Sequence, residues 1–210
     1  MDLIPERLLT IRHRYLPLLE RLETLFSEMD QSYTAVAGQY GFQCNGCADN
    51  CCLTRFYHHT VLEYLYLMEG LRTLEPDARH TIYEKALTVS AGMADADRRG
   101  ETPRIMCPLN REERCMLYRF RPMICRLHGI PHELRRSGGK PIKNPGCDSF
   151  FNQCRHGGHT DYIRFDRTPF YRQMAGLEQE LRRKTGYSDK IKLTVAQMLV
   201  SITDNIYEID

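Results

Sequence analysis

The spacing of hydrophobic residues predicts a helical segment over residues 1–38. Apolar positions recur there at intervals of three and four residues, as on one face of an α-helix. This stripe consists of Leu18, Leu22, Leu25, Phe26, Met29 and Tyr33. Pro17 should kink or restart the helix because proline has no backbone N–H, and Gly38 can end it.

Two further helices are predicted in the middle of the chain. Thr60 and Glu63 have the spacing of a capping box, in which two side chains bind free backbone N–H groups at a helix start. The helix that follows carries an apolar stripe of Leu62, Leu65, Met68 and Leu71. Pro76 suits the first turn of the next helix. Residues 95–104 are polar and rich in turn formers, which predicts an exposed loop or linker.

A final pair of helices is predicted within residues 168–206. Its start and end signals are Thr168 with Pro169 before the first helix, Gly186 after it, and Thr194 with Gln197 before the second. Such residues satisfy the unpaired backbone groups at helix ends. We expect the terminal helices to depend less on thiolate–metal coordination than the central segment does.

Between the N-terminal and C-terminal helical segments, residues 40–154 contain most of the sequence in which hydrophobic residues show no regular spacing. Residues 107–154 are typical of short strands and irregular structure, with turn residues concentrated in 135–146. The pattern as a whole predicts one mainly α domain of 210 residues. In it, helices flank an irregular, cysteine-rich, metal-binding centre with short strands.

Composition and charge narrow the functional classes. The chain is 42% hydrophobic and 27% charged, with a formal net charge of +2. This balance argues against nucleic acid as a partner, and the basic loop of Arg135, Arg136, Lys140 and Lys143 is typical of a solvated surface. The first residues carry charges where a signal peptide needs an apolar run, and no stretch approaches the roughly 20 apolar residues of a membrane span. We expect a cytoplasmic protein without a membrane partner.

Cysteine is the residue whose distribution is most unusual. There are nine cysteines, and four of them fall between Cys44 and Cys52. The cytosol keeps thiols reduced, and an odd number also argues against a framework of disulfides. Dense thiolates in a reducing compartment are typical of metal binding.

The local spacing favours a site with more than one metal atom. Cys44 and Cys47 have the C-x-x-C spacing that binds one ion, and Gly46 permits the required turn. Cys51 and Cys52 are adjacent, so their side chains leave the backbone in different directions. Such a pair fits a polynuclear cluster, or two separate sites, better than one tetrahedral zinc ion.

Four more cysteines, Cys107, Cys115, Cys125 and Cys147, follow at spacings typical of loops. Cys107 and Cys115 are separated by a turn that can bring them together. Cys125 should lie near a helix N-terminus, where the dipole favours a thiolate. Arg121 and Arg126 are close in sequence and could offset the negative charge of a cluster.

Taken together, "CNGCADNCC" (44–52), "CPLNREERCMLYRFRPMICR" (107–126) and "GC" (146–147) resemble the CxxCxxCC family of zinc- or iron-chelating proteins, the YkgJ-like cysteine-cluster proteins. The resemblance covers roughly residues 40–150. It implies metal binding by the thiolates of Cys44, Cys47, Cys51, Cys52, Cys107, Cys115, Cys125 and Cys147. One departure is that three residues, rather than two, separate Cys47 from Cys51.

These observations predict a metal-binding protein in which the eight thiolates hold an iron–sulfur cluster, of the 4Fe–4S type, or zinc, with a redox or regulatory role. Iron–sulfur is favoured because eight thiolates with an adjacent pair suit polynuclear binding. One alternative is a cluster-dependent enzyme, methyltransferase-like, because flagellin lysine N-methylases resemble distant members of the family. The other is a zinc-stabilised protein-interaction module. The protein partner and any substrate stay open.

Further candidates for metal ligands lie outside the eight-cysteine pattern. They are His58 and His59 after the first cluster, His128 just past Cys125, and Cys154 with His156 and His159. Each is more typical of a surface or turn position than of a ligand. Cys154 in particular is predicted not to be a primary ligand.

Overall fold

The structure is a computed structural model that describes residue 8 and residues 11–44, 51–135, 138–156 and 161–206; for 155, 156 and 203–206 it describes the backbone only. Within these ranges the chain forms seven α-helices and four short strands, which confirms the prediction of a mainly α fold. The helices are α1 (Arg12–Gln39), α2 (Val61–Arg72), α3 (Pro76–Arg98), α4 (Met123–Leu127), α5 (Asp148–His156), α6 (Thr168–Thr185) and α7 (Val195–Ile206).

The strands form two antiparallel hairpins. β1 (Asn110–Arg111) pairs with β2 (Arg114–Cys115), and β3 (His132–Arg135) pairs with β4 (Pro141–Asn144). Glu112 and Glu113 link β1 to β2 with positive φ angles of 51° and 65°, as in the type I′ turn that suits a two-residue hairpin. A single parallel bridge between Glu133 and Asp166 attaches the chain before α6 to β3.

α1 is one continuous helix that includes Pro17, so the helix does not restart at this residue. Tyr15 and Leu18 are both fully buried, and they keep the stretches before and after the proline on one core-facing stripe. The helix also passes Gly38 and ends at Gln39. Gly41, with a φ of +68°, adopts the left-handed conformation that leads the chain away.

The core forms around α2, which is buried on nearly all sides. Its buried residues are Val61, Leu62, Glu63, Tyr64, Leu65, Tyr66, Leu67, Met68, Gly70 and Leu71. A helix that is apolar around its whole circumference belongs in the interior. α1 packs against α4 and α6 beside it, and α3 packs against α7.

The capping signals were predicted with mixed success. Thr194 and Gln197 form the full reciprocal box, since the Thr194 N–H donates to Gln197 Oε1 at 2.9 Å and the Gln197 N–H to Thr194 Oγ1 at 3.3 Å. At α2 the Glu63 N–H donates to Thr60 Oγ1 at 3.3 Å, but the Glu63 carboxylate accepts the N–H of Met123 at 2.8 Å. This buried carboxylate therefore connects α2 to α4.

Two other expectations need correction. α3 continues to Arg98, so the first part of the 95–104 segment is helical rather than a loop. Thr168 does not cap α6 with its side chain; its hydroxyl accepts the N–H of Arg135 at 2.8 Å, and the Asp166 carboxylate accepts the Thr168 N–H at 2.9 Å. Gly186 ends α6 with a φ of 70°, as predicted.

Among the helices within the described ranges, none combines the length and the apolar character needed to cross a membrane.

Candidate functional site

Three elements bring cysteines together. A short 3₁₀ turn, Cys51–Leu53, lies beside the loop that leads into the β1–β2 hairpin, and α4 carries Cys125. The backbone N–H of Cys107 donates to the carbonyl of Cys52 at 2.9 Å. This hydrogen bond holds residues that are far apart in sequence next to each other.

Cys52 is the centre of a group of thiols. Its sulfur forms hydrogen bonds with the thiols of Cys107 and Cys51, and these two contacts lower the pKa of Cys52 well below its ordinary value. The same contacts raise the pKa values of Cys51 and Cys107. When neighbouring groups share one negative charge, the first proton leaves easily and the next ones with difficulty. The three residues therefore carry one thiolate, at Cys52, and two neutral thiols.

Cys115 and Cys125 lie next to this group and stay protonated. Burial raises the pKa of Cys115 to about 11. Burial also raises the pKa of Cys125, and electrostatic interactions with Cys115 and Cys52 add to the effect. The expectation that the α4 N-terminus favours a Cys125 thiolate is therefore wrong. The carboxylate of Glu63 already occupies the N–H of Met123 at that helix start, and desolvation disfavours a second negative charge.

Arg121 and Arg126 form ion pairs with a carboxylate on a helix that is distant in sequence. Both guanidinium groups contact Asp30 on α1, at 3.1 Å and 2.6 Å. Arg126 also lies 4.2 Å from the centre of the Phe26 ring. One carboxylate offsets only part of these two charges, and both arginines also act to lower the pKa of Cys115.

A second group of cysteines, Cys44 and Cys147, lies near Tyr33, together with Cys51 of the first group. Burial is the main cause that raises the pKa of Tyr33, and electrostatic interactions with Cys44, Cys147 and Cys51 add to it. Cys44 is exposed, and Cys147 is half-buried. Cys147 precedes α5, and its sulfur accepts the N–H of Phe150 at 3.4 Å; burial nevertheless raises its pKa.

The structure contradicts the predicted metal-binding function. The part of the chain that it describes contains no group of three or more His, Cys, Asp or Glu side chains that could hold a metal ion. The predicted ligands within the described ranges do not form one metal-binding group because their sulfurs have other contacts. Those of Cys51 and Cys107 hydrogen-bond to the Cys52 sulfur, whereas Cys44 and Cys147 lie near Tyr33. This correction concerns the predicted ligands Cys44, Cys51, Cys52, Cys107, Cys115, Cys125 and Cys147; Cys47 lies outside the described residues. The finding favours neither the cluster-dependent enzyme nor the zinc-stabilised module.

The remaining ligand candidates are distributed over the structure. His58 is buried, forms backbone hydrogen bonds of 2.8 Å and 3.0 Å with Leu193, and has a pKa lowered by burial. His59 is exposed, and the His128 ring meets Phe56 edge-on at 5.2 Å. Cys154 is buried in the core, where its thiol donates to the carbonyl of Tyr40 at 3.7 Å. The side chain of His156 and all of His159 lie outside the described residues.

Two functional candidates near the second group, Arg167 and Tyr33, were not identified from the sequence. Arg167 is almost fully buried, with an exposed fraction of 2%. The hydroxyl of Tyr33 is buried and has no hydrogen-bond partner. Tyr33 appeared only as part of an apolar stripe, and Arg167 stands in the ordinary polar sequence before Pro169. Neither position gives a local signal of its role.

No protein-family model, no curated protein and no solved structure matches this chain. The resemblance to the CxxCxxCC family stays a prediction.

Proposed function

We propose that the protein carries out thiol–disulfide exchange, with Cys52 as the attacking thiolate and Cys107 as the resolving thiol. The observation that carries this proposal is a pair of contacts between the same two residues. Their sulfurs are hydrogen-bonded, and the N–H of Cys107 donates to the carbonyl of Cys52 at 2.9 Å.

The state of Cys52 suits it to attack a disulfide. The thiolate, and not the thiol, is the nucleophile, and hydrogen bonds from Cys107 and Cys51 lower the pKa of Cys52. Cys52 is half-buried rather than enclosed, so a substrate sulfur can reach it. Because Cys115 and Cys125 have raised pKa values, they stay neutral and do not compete as nucleophiles.

The reaction has two steps. The Cys52 thiolate attacks one sulfur of a substrate disulfide, which forms a mixed disulfide and releases the other sulfur as a thiolate. The Cys107 thiol gives its proton to that leaving thiolate and attacks the Cys52 sulfur. A Cys52–Cys107 disulfide forms and the second substrate thiolate leaves. The two cysteines are oxidised by two electrons, and the substrate disulfide is reduced to two thiols.

Cys107 is a better resolving residue than Cys51. Consecutive Cα atoms lie about 3.8 Å apart, below the range of about 4.4 to 6.8 Å that an unstrained disulfide spans. A bond between Cys51 and Cys52 would therefore store strain. Cys107 comes from a separate loop that a backbone hydrogen bond holds beside Cys52, so no such limit applies. We assign Cys51 the role of a hydrogen-bond donor that stabilises the Cys52 thiolate.

The test uses the fully reduced protein and hydroxyethyl disulfide, a small neutral substrate. Mass spectrometry of the unreduced, digested protein should find one new cross-link, between Cys52 and Cys107. Cys52→Ser should abolish the reaction at this site. Cys107→Ser should stop it halfway, with one substrate half attached to Cys52.

Cys154→Ser is the matched control. This cysteine is buried and donates only to the carbonyl of Tyr40, so its loss should leave the exchange rate unchanged. The proposal is wrong if the Cys52→Ser protein reacts as fast as the wild type. It is also wrong if oxidation joins Cys52 to no residue while other cysteines pair.

A further inference from the structure

Arg167 is a buried cation without an anionic partner. Its exposed fraction is 2%, and it forms no ion pair with any carboxylate that the structure describes. Two acidic residues lie close to Arg167. Asp166 precedes it in sequence, and Glu133 of β3 forms the parallel bridge with Asp166. Both pair instead with the surface residues Arg164 and Arg135. Within the described ranges, these two carboxylates therefore neutralise the outer residues Arg135 and Arg164, and the buried Arg167 has no carboxylate partner.

The hydrogen bonds of Arg167 do not replace an anion. One terminal nitrogen donates to the carbonyl of Leu127, and Nε has no partner. Burial lowers the pKa of Arg167 to about 10, which still leaves the group charged at neutral pH. A desolvated charge is costly unless it is paired, so this position favours the approach of a negative group.

In the part of the chain that the structure describes, one further unused donor lies near Arg167. Tyr33 is electrostatically coupled to Arg167, and its hydroxyl has no partner. Burial lowers the pKa of His132 to about 4, and Arg167 adds to the effect, so His132 is neutral near pH 7. The carboxylate of Glu63 acts on Tyr171 in this region, but it is bound to Thr60 and to the N–H of Met123.

The same tyrosine connects this charge to the thiols. Tyr33 interacts with Arg167 and also with Cys44, Cys51 and Cys147. Cys51 is adjacent to Cys52, the proposed nucleophile, and Cys44 is exposed to solvent. The packing agrees with this connection. The Phe165 ring lies 6.3 Å from the Tyr33 ring and 5.7 Å from the Arg167 guanidinium. A Cβ at Gly129 would also lie 2.5 Å from the Tyr33 hydroxyl, and the Gly129 carbonyl accepts the N–H of Cys147 at 2.8 Å.

We infer that the substrate of the exchange is a disulfide that carries carboxylate groups, which Arg167 and the hydroxyl of Tyr33 attract and orient toward Cys52. This inference rests on the proposed thiol–disulfide exchange and names its substrate class. The bonds that form and break are those given above, and the carboxylates take no part in them. Arg167 and Tyr33 are positioning residues.

The inference gives a rate difference that depends on substrate charge. Charge complementarity in a site with low-dielectric walls raises association rates by about 10- to 1,000-fold. The test compares three symmetric disulfides of similar size: the dianion dithiodiglycolate, the neutral hydroxyethyl disulfide and the dication cystamine. The second-order rate with reduced protein should be roughly tenfold or more higher for the dianion than for the neutral compound, and lowest for the dication.

Variants separate the charge effect from damage to the fold. Arg167→Met should remove the preference for the dianion, and Arg167→Lys should restore much of it because the charge returns. Tyr33→Phe removes only the unpaired hydroxyl and should reduce the preference partially. The neutral disulfide is the internal reference, because a general loss of structure changes all three rates, whereas loss of the charge changes only their ratio.

Each outcome decides between the two claims. Equal rates for the three disulfides, or a preference that Arg167→Met leaves intact, would refute the inference while the exchange at Cys52 stands. Absence of reaction with all three compounds would refute the proposed function itself, and the inference with it.

Discussion

The carboxylate of Glu178 accepts the backbone N–H of Val61 at 3.1 Å and so joins α6 to the first residue of α2. Its second oxygen accepts the N–H of Leu62 at 3.0 Å. Arg182 Nε donates to the first oxygen at 2.8 Å. The first N–H groups of a helix have no partner within the helix. Glu178 thus satisfies two buried donors of the central helix from a position that is 117 residues away from Val61 in sequence.

Replacement of Glu178 by alanine should destabilise the protein. The change leaves the N–H groups of Val61 and Leu62 buried without acceptors, and each such group costs about 1–3 kcal/mol. We expect the free energy of unfolding to fall by roughly 2 to 5 kcal/mol on that basis, measured by urea denaturation at neutral pH.

Glu180→Ala is the control, on the same helix two positions later. Glu180 pairs at the surface with Arg21 and Lys184, and exposed ion pairs contribute little to stability. Its effect should be much smaller than that of Glu178→Ala. Equal effects of the two substitutions would mean that Glu178 acts as a surface charge rather than as a cap.

Gly70 and Gly176 should respond in opposite directions to replacement by alanine. Both lie within helices, where alanine is favoured by about 1 kcal/mol over glycine. A Cβ at Gly70 would lie 2.5 Å from Cγ of Phe120, whereas a Cβ at Gly176 meets nothing within 4 Å. Gly176→Ala should stabilise the protein by up to about 1 kcal/mol. Gly70→Ala should destabilise it, because overpacking in a core costs about 1–3 kcal/mol.

Thermal unfolding of both variants tests this pair. A decrease in the melting temperature for Gly70→Ala and an increase for Gly176→Ala is the expected result. Stabilisation by both would show that the Phe120 ring moves aside without cost, and would contradict close packing between α2 and the 3₁₀ turn Tyr118–Phe120.

Local sequence signals predicted those parts of the fold that depend on local contacts. Thr194 with Gln197 and Gly186 act within one helical turn, and the structure places them as predicted. The helix α1 does not restart at Pro17, because the burial of the neighbouring residues, rather than the missing N–H of the proline, decides whether it continues. The cap that Glu178 provides for α2 could not be predicted, since it requires knowledge of how α6 packs on α2.

The same limit applies to the candidate site. The sequence showed that cysteines concentrate between residues 44 and 147, and the structure brings Cys51, Cys52 and Cys107 together. It could not show that these sulfurs contact one another, because their relation depends on a backbone hydrogen bond between two loops. Arg121 and Arg126 were assigned to the cysteines by proximity in sequence, and both do act on Cys115. Their ion pairs with Asp30, on a helix distant in sequence, could not be predicted.

Removal of the Asp30 carboxylate should leave Arg126 as a second uncompensated buried charge. The side chain of Arg126 is 4% exposed, and that of Asp30 is 36% exposed. Breaking a fully buried ion pair costs about 3–5 kcal/mol; because Asp30 is partly solvated, we expect about 1–3 kcal/mol for Asp30→Asn. Urea denaturation measures the loss.

A variant at an exposed pair provides the comparison for Asp30→Asn. Glu101 contacts Arg99 at 2.9 Å, and both side chains are more than half exposed. Glu101→Gln should change the midpoint of unfolding very little, and added salt should remove the small difference. If the Asp30 variant is as stable as the wild type, Arg126 is sufficiently stabilised by the carbonyl groups of Arg119 and Arg121 and by the Phe26 ring.

Two histidines, the buried His58 and the half-buried His132, should make the protein less stable at acidic pH. Burial, with a contribution from Arg167, lowers the pKa of His132 to about 4, and burial also lowers the pKa of His58. In the unfolded chain both titrate near their ordinary pKa of about 6.5. Between these values the unfolded state binds more protons than the folded state, so the free energy of unfolding decreases as the pH falls. For His132 the stabilisation is complete above about pH 6.5 and is lost progressively toward pH 4.

Urea denaturation at a series of pH values between about 4 and 7.5 tests this titration window. The wild type should lose stability steadily below about pH 6.5, and His132→Gln should show a shallower loss because one of the two groups has been removed. Carboxylates contribute to the slope of both proteins, so the informative quantity is the difference between the two curves. His80 is exposed, and His80→Gln should follow the wild-type curve. Parallel curves for the wild type and His132→Gln would mean that His132 takes up its proton as readily in the folded protein as in the unfolded chain, which would contradict its burial beside the Arg167 cation.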